Sequence, residues 1–285
     1  MSTDVVVEIA IDAAQVDAAA GVGRVVRASG PMDPTGSAAL ASLVDRRVLV
    51  GPLDPCGECD VCRRGGAPVC PLARRRGPLG QAVSAAARWL VPLDDGLDLP
   101  GPTAAAVAGD VATAYTLYAR TGLGPREPVV VIGATPIGRF LIEILVAKGI
   151  APAALAGPGP WSEWLRGKAV AVAGDRAALA AVFAEHGLGT RPWRVICADP
   201  AATAAAAELA GPRATLTVLA GTPPQPLPGD LLAREVSVIA VAGPHPDLVV
   251  EAAAMCVKHE IDLAAGTTFA PTDPLRTHIR TFPPS

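Results

Sequence analysis

The chain has 285 residues, and 24 Lys and Arg stand against 27 Asp and Glu, so its formal charge of −3 excludes the basic excess that sequence-independent nucleic-acid binding draws on. Hydrophobic residues make up 51% and charged residues 18%, below the roughly 25% of an average soluble domain, which excludes disorder and supplies a large core. The longest uncharged stretch, residues 214–229, is broken by four prolines and too short to span about 30 Å of hydrocarbon, and residues 1–10 carry no leader pattern, so the expectation is a cytoplasmic protein without a membrane helix.

In chain order, β-branched runs predict short strands over residues 5–9, 25–28 and 47–50, the last closed by Gly51-Pro52, and another over 88–91 before the turn-rich stretch 92–102. Residues 103–120 read as a helix that stops near Gly122 and Gly124. From Pro128 strands and helices alternate. The strands are expected over 129–132, 153–156, 169–172, 194–197, 214–219 and 236–241, and the helices over 136–148, 176–186, 201–209 and 247–259. Such alternation builds a parallel sheet, so the fold class is α/β, with an all-β part over residues 1–102 and a βαβ array over 103–285.

Four of the six cysteines, Cys56, Cys59, Cys62 and Cys70, form C-x2-C-x2-C-x7-C in a loop opened by Pro55. Four thiolates this close can complete a tetrahedron around Zn(II), which leaves no open coordination position and makes the site structural. Two local disulfides, or free thiols, are the alternative, and a reducing compartment disfavours the first. Cys197 and Cys256 fall on a predicted strand and helix, where cysteine serves as a small apolar core residue.

The segment DRRVLVGPLDPCGECDVCRRGGAPVC, followed 59 residues after Cys70 by VVVIGATPIG, resembles the zinc-containing medium-chain alcohol dehydrogenase family, and the order of parts matches from Asp4 to about Ala270. Within that family, CGECDVCRRG, ATLTVLAGT and KHEIDLAAGT look most like the 6-hydroxycyclohex-1-ene-1-carbonyl-CoA dehydrogenases, which act on a ring alcohol carried as a CoA thioester. The resemblance implies a GroES-like β domain over 1–102 bearing a structural zinc lobe at 56–70, with one zinc per chain, and a Rossmann doubly wound parallel-sheet domain over 103–285.

The resemblance also implies a second, catalytic zinc, and the positions that would hold it are altered. The run VVVEIA is followed after only 12 residues by GRVV, so the loop that carries one ligand is shortened, and no cysteine precedes Cys56. The family's His-Glu pair falls on Ala19 and Ala20. A third ligand position falls on Gly109, with Asp110 one place off, and a lone Asp at a helix start reads as a cap or a surface group. His186, His245, His259 and His278 read as solvated surface residues, and no G-x-S-x-G elbow is present. No catalytic residue is assigned.

The dinucleotide fingerprint is half intact. Gly133, Thr135, Pro136, Ile137 and Gly138 are the candidate cofactor contacts, in a turn that follows a strand and opens a helix. The middle glycine of the fingerprint is replaced by Thr135, and no acidic residue lies between Glu143 and Glu163 to bind a ribose. Binding of NAD or NADP is left open.

Two readings follow. In the first, the chain is a degenerate, noncatalytic member that binds a partner or a CoA-type small molecule, with the family's first β strands and closing C-terminal elements shortened. In the second, it is an NAD(P)-dependent oxidoreductase that works without a catalytic zinc, with a CoA thioester of a cyclic compound as the candidate substrate. The apolar strand at 236–241 predicts a homodimer, or a heteromer with a complete family member.

Overall fold

The computed structural model describes residues 5–16, 19–30, 42–93, 97, 99–124, 127–168, 170–185, 191–221, 227–259, 261 and 279–282. Two compact units emerge. One is formed by the described residues of Met1–Ala112 with those from Pro244 onward, and the other by those of Thr113–Gly243.

The first unit is built on an antiparallel sheet. Strand β1 (Val6–Gln15) pairs with β2 (Ala20–Ser29), which pairs with β3 (Arg47–Val50). A two-residue ribbon of β4 (Leu53–Asp54) and β5 (Arg74–Arg75) lies beside it in sequence, followed by β6 (Ala82–Ala86), which pairs with β1, and β7 (Leu90–Pro92), which pairs with β3. Along β1 the alternate residues Val7, Ile9 and Ile11 are buried while Val6 and Glu8 are exposed, the period-two pattern of a sheet with one face on a core. That core takes Val25 from β2, Val48 and Val50 from β3, and Leu90 from β7.

Both opening strands run ten residues, longer than the short runs expected from the sequence. The extensions, Ala13 to Gln15 on β1 and Ala20 to Gly23 on β2, have few β-branched residues and are specified by cross-strand pairing rather than by propensity. The strand expected over 88–91 is a 3-10 turn (Ala87–Trp89) leading into β7. Helix α1 (Asp60–Arg63) sits inside the cysteine loop, and α2 (Gly101–Ala106) continues through a π turn (Val107–Val111) into α3 (Ala112–Thr121).

The second unit is a six-stranded, all-parallel sheet. Its strands are β8 (Val129–Ile132), β9 (Ala153–Leu155), β10 (Ala171–Ala173), β11 (Arg194–Cys197), β12 (Thr215–Leu219) and β13 (Ser237–Val241), in the spatial order β10-β9-β8-β11-β12-β13. The order reverses between β8 and β11, which creates a crevice at the carboxyl ends of those strands. The connecting helices are α4 (Pro136–Ala147), α5 (Pro160–Gly167), α6 (Arg176–Glu185) and α7 (Thr203–Leu209). Val130, Val195, Cys197, Leu216 and Phe183 belong to one buried cluster on this sheet. Helix α5 is not among the elements expected from the sequence, and it opens directly after Gly157-Pro158-Gly159. Pro160 occupies the first helical turn, and Ser162 exchanges hydrogen bonds with the Gly159 backbone, so the same residues start a helix.

After β13 the chain rejoins the first unit through α8 (Pro246–His259), and β14 (Ile279–Thr281) pairs antiparallel with the end of β1, placing Ala13 opposite Thr281. The tail therefore returns a short strand to the first sheet. The fold is the α/β class expected, an antiparallel β unit with a cysteine lobe and a Rossmann-type parallel sheet.

Candidate metal centre and dinucleotide turn

Cys56, Cys59, Cys62 and Cys70 converge, all four sulfurs lying within 4.8 Å of one another. The Cys56–Cys62, Cys59–Cys70 and Cys56–Cys70 Sγ separations are 4.0, 3.8 and 3.6 Å. A tetrahedral centre with metal–sulfur bonds near 2.3 Å has sulfur–sulfur edges of about 3.8 Å, so the donor set fits Zn(II). All four cysteines are free thiols, which removes the disulfide alternative. The Cys59 amide donates to Cys56 Sγ and the Cys62 amide to Cys59 Sγ, both at 3.4 Å, so two C-x2-C turns aim their backbone at the sulfurs they present. Backbone N–H groups of Glu58 and then Cys59 pull the Cys56 thiol down to about 6, and burial followed by the neighbouring sulfurs pushes Cys62 up to about 12. These amides favour the thiolate form of Cys56.

The lobe is anchored from β7's flank. Arg88 Nη2 donates to the Cys56 carbonyl at 2.8 Å, and Trp89 Nε1 donates to the Pro55 carbonyl at 2.8 Å. On the far side of the loop, His245 Nε2 donates to the Gly65 carbonyl at 2.8 Å, and its side chain is only 25% exposed. His245 is thus a structural contact of the lobe and not the solvated residue expected. Its role was invisible in the sequence because its partner lies 180 residues away. His259 is exposed as expected, whereas His186 and His278 lie outside the described residues.

Among the described residues, the four cysteines are the single group of three or more His, Cys, Asp or Glu side chains placed to hold a metal ion. Ala20 is fully buried, and Ala19 is at the margin of burial with φ 49°. Asp110 corrects the expectation of a helix-start cap. It lies within the π turn, 7% exposed, and its amide donates to Gln15 Oε1 at 3.3 Å. Cys197 and Cys256 are both buried, and burial pushes their thiols up to about 11 and about 12, which suits inert residues.

In the second unit, Gly133, Thr135, Pro136, Ile137 and Gly138 form the turn from β8 into α4, where the sheet order reverses. Gly133 has φ 123°, and a Cβ there would lie 2.8 Å from the Asp199 amide nitrogen; a Cβ on Gly138 would lie 2.1 Å from the Gly133 carbonyl oxygen. Both glycines are required by close backbone approach. Thr135 is the N-cap of α4. Its hydroxyl accepts from the Gly138 amide at 3.0 Å and donates to the Ala198 carbonyl at 3.1 Å. Of the first three helical positions, Pro136 has no N–H and the Gly138 N–H is taken, so Ile137 supplies the one amide that remains for a ligand anion. At the end of β9, a side chain at Gly157 would meet open space within 4 Å, so an acid there is missing by sequence and not by crowding.

No protein-family profile and no curated protein sequence matches the chain. Solved structures do. An alcohol dehydrogenase from Thermus sp. ATN1 superposes with a TM-score of 0.74 or better, namely 0.77, at 16% identity over 93% of this chain and 85% of that one. A short chain alcohol dehydrogenase from E. coli CFT073, complexed with NADH, gives 0.74 at 17% identity over 91% and 82%. An alcohol dehydrogenase from Thermotoga maritima gives 0.74 at 16% identity over 92% and 84%. The chain has the fold of these alcohol dehydrogenases.

Proposed function

We propose that this chain is a zinc-binding, alcohol-dehydrogenase-like protein of the zinc-containing medium-chain family that has given up dehydrogenase chemistry and works by binding a ligand or partner. Cys56, Cys59, Cys62 and Cys70 hold one structural zinc, which supplies folding energy to the lobe and no chemistry. Zinc-dependent alcohol oxidation needs a metal with an open position, and Ala19 and Ala20 offer no ligand atom for one.

The observation that carries this reading is the Thr135 hydroxyl, which occupies the Gly138 amide that a pyrophosphate would otherwise use. Together with the acid-free run 156–159, it weakens both the phosphate and the ribose contacts of a nicotinamide cofactor. The ligand class favoured by the sequence resemblance is a CoA thioester of a cyclic compound, as in the 6-hydroxycyclohex-1-ene-1-carbonyl-CoA dehydrogenases. A second reading, an NAD(P)-dependent oxidoreductase without catalytic zinc, draws on Gly133 and Gly138, which keep the tight strand-to-helix turn of a dinucleotide site.

Saturation-transfer NMR with NAD, NADP and CoA separates the two. The wild-type protein should show transfer to CoA and none to either dinucleotide. Thr135→Gly, which costs only a few tenths of a kcal/mol at an N-cap, should restore transfer to a dinucleotide by freeing the Gly138 amide. Transfer to NAD or NADP in the wild type, displaced by the other dinucleotide, would move the assignment to the oxidoreductase reading.

A further inference from the structure

The cysteine lobe and the start of α8 meet at His245, beside an apolar contact. His245 Nε2 donates to the Gly65 carbonyl at 2.8 Å, while Nδ1 lies 3.6 Å from Asp247 Oδ2. The flanking residues Pro244 and Pro246 fix the backbone on both sides of the ring. The His245 carbonyl in turn accepts from the Leu248 amide at 2.9 Å, so the same residue closes the first turn of α8.

Beside this bond, Pro55, Pro68 and Trp89 face Pro244, Pro246 and Val249 across an apolar space of about 30 Å³. That is room for about one water between two mostly apolar surfaces. Gly65 lies between the ligands Cys62 and Cys70, and its amide donates to the Cys62 carbonyl at 3.0 Å. Its carbonyl is therefore held in place by a loop whose order depends on the metal.

We propose that the zinc lobe is a metal-dependent latch on α8, with His245 as the positioning residue that reads the Gly65 carbonyl. Zinc fixes the 62–70 loop, the loop presents the carbonyl, and His245 transmits that order to the first turn of α8, whose buried face carries Val249, Ala252, Ala253, Met255 and Cys256. This inference rests on the metal centre alone and stands whether or not the dinucleotide turn binds a cofactor.

Hydrogen exchange with and without a zinc chelator tests it, alongside the rate of zinc release to a colorimetric chelator. In the wild type, chelation should raise exchange over residues 56–70 and 246–259 and leave the β8 residues 129–132 protected. His245→Ala should release zinc about fivefold faster, the ratio that one net hydrogen bond supplies, and should show raised exchange over 246–259 with zinc still bound. His245→Gln, which keeps a donor near the same place, should recover part of both. Exchange over 246–259 that ignores chelation, exchange that rises equally over 129–132, or zinc release from His245→Ala at the wild-type rate would each overturn the latch.

Discussion

At the scale of single residues, the two sites differ in what the substitutions leave behind. The metal lobe keeps every donor, and the amides of Cys59 and Cys62 support the sulfurs of the preceding ligands. Cys59 is both one of the four clustered sulfurs and the N-cap of α1, accepting from the Cys62 amide. Cys59→Ser is therefore expected to release zinc and to lower the melting temperature by several degrees, because metal affinity at such a site is folding energy for its loop. Unchanged metal content and melting in that variant would count against a four-sulfur centre. The lobe was fully legible in the sequence, since its ligands are local and its spacing is chemically restrictive. The dinucleotide turn was legible in position but not in detail. Thr135 was readable as a bulkier residue in a glycine's place, whereas its hydrogen bonds to Gly138 and Ala198 depend on a carbonyl 63 residues away.

At the scale of elements, the parallel sheet was read well because buried parallel strands are short β-branched runs, such as Val129–Ile132 and Arg194–Cys197. The antiparallel sheet was read less completely. β6 and β14 are held by pairing with β1, and neither carries a run strong enough to declare itself. Strand β13 ends the parallel sheet, and among the described residues it pairs with β12 alone. Ser237, Val238 and Ala240 are exposed on it, and Leu232, five residues before it, is 87% exposed. An open edge with apolar side chains is a site for pairing with another chain. We therefore expect a second copy, or a complete dehydrogenase of the same family, to cover this edge. Light scattering should give a dimer for the isolated protein, and Val238→Lys should shift it toward monomer. A wild-type protein that stays monomeric at micromolar concentration, and that co-purifies with no other chain, would show that the edge needs no cover.

At the scale of the whole molecule, the fold rests on burial and not on the candidate sites. The cores of the two units are made of ordinary apolar contacts, Val7 to Val50 in one and Val130 to Leu216 in the other, and none of them depends on a catalytic metal or a cofactor. A fold held by burial tolerates changes at Ala19, Ala20 and Thr135 as long as the strands keep their pattern, so fold and function are separable here. Metal content tests the proposal most directly, because the four cysteines are placed to hold one ion and zinc-dependent alcohol oxidation would need a second, with an open position. Zinc measured per chain on the purified, dialysed protein should give one equivalent, and a second, tightly held equivalent would contradict the account by requiring a catalytic site built from other residues.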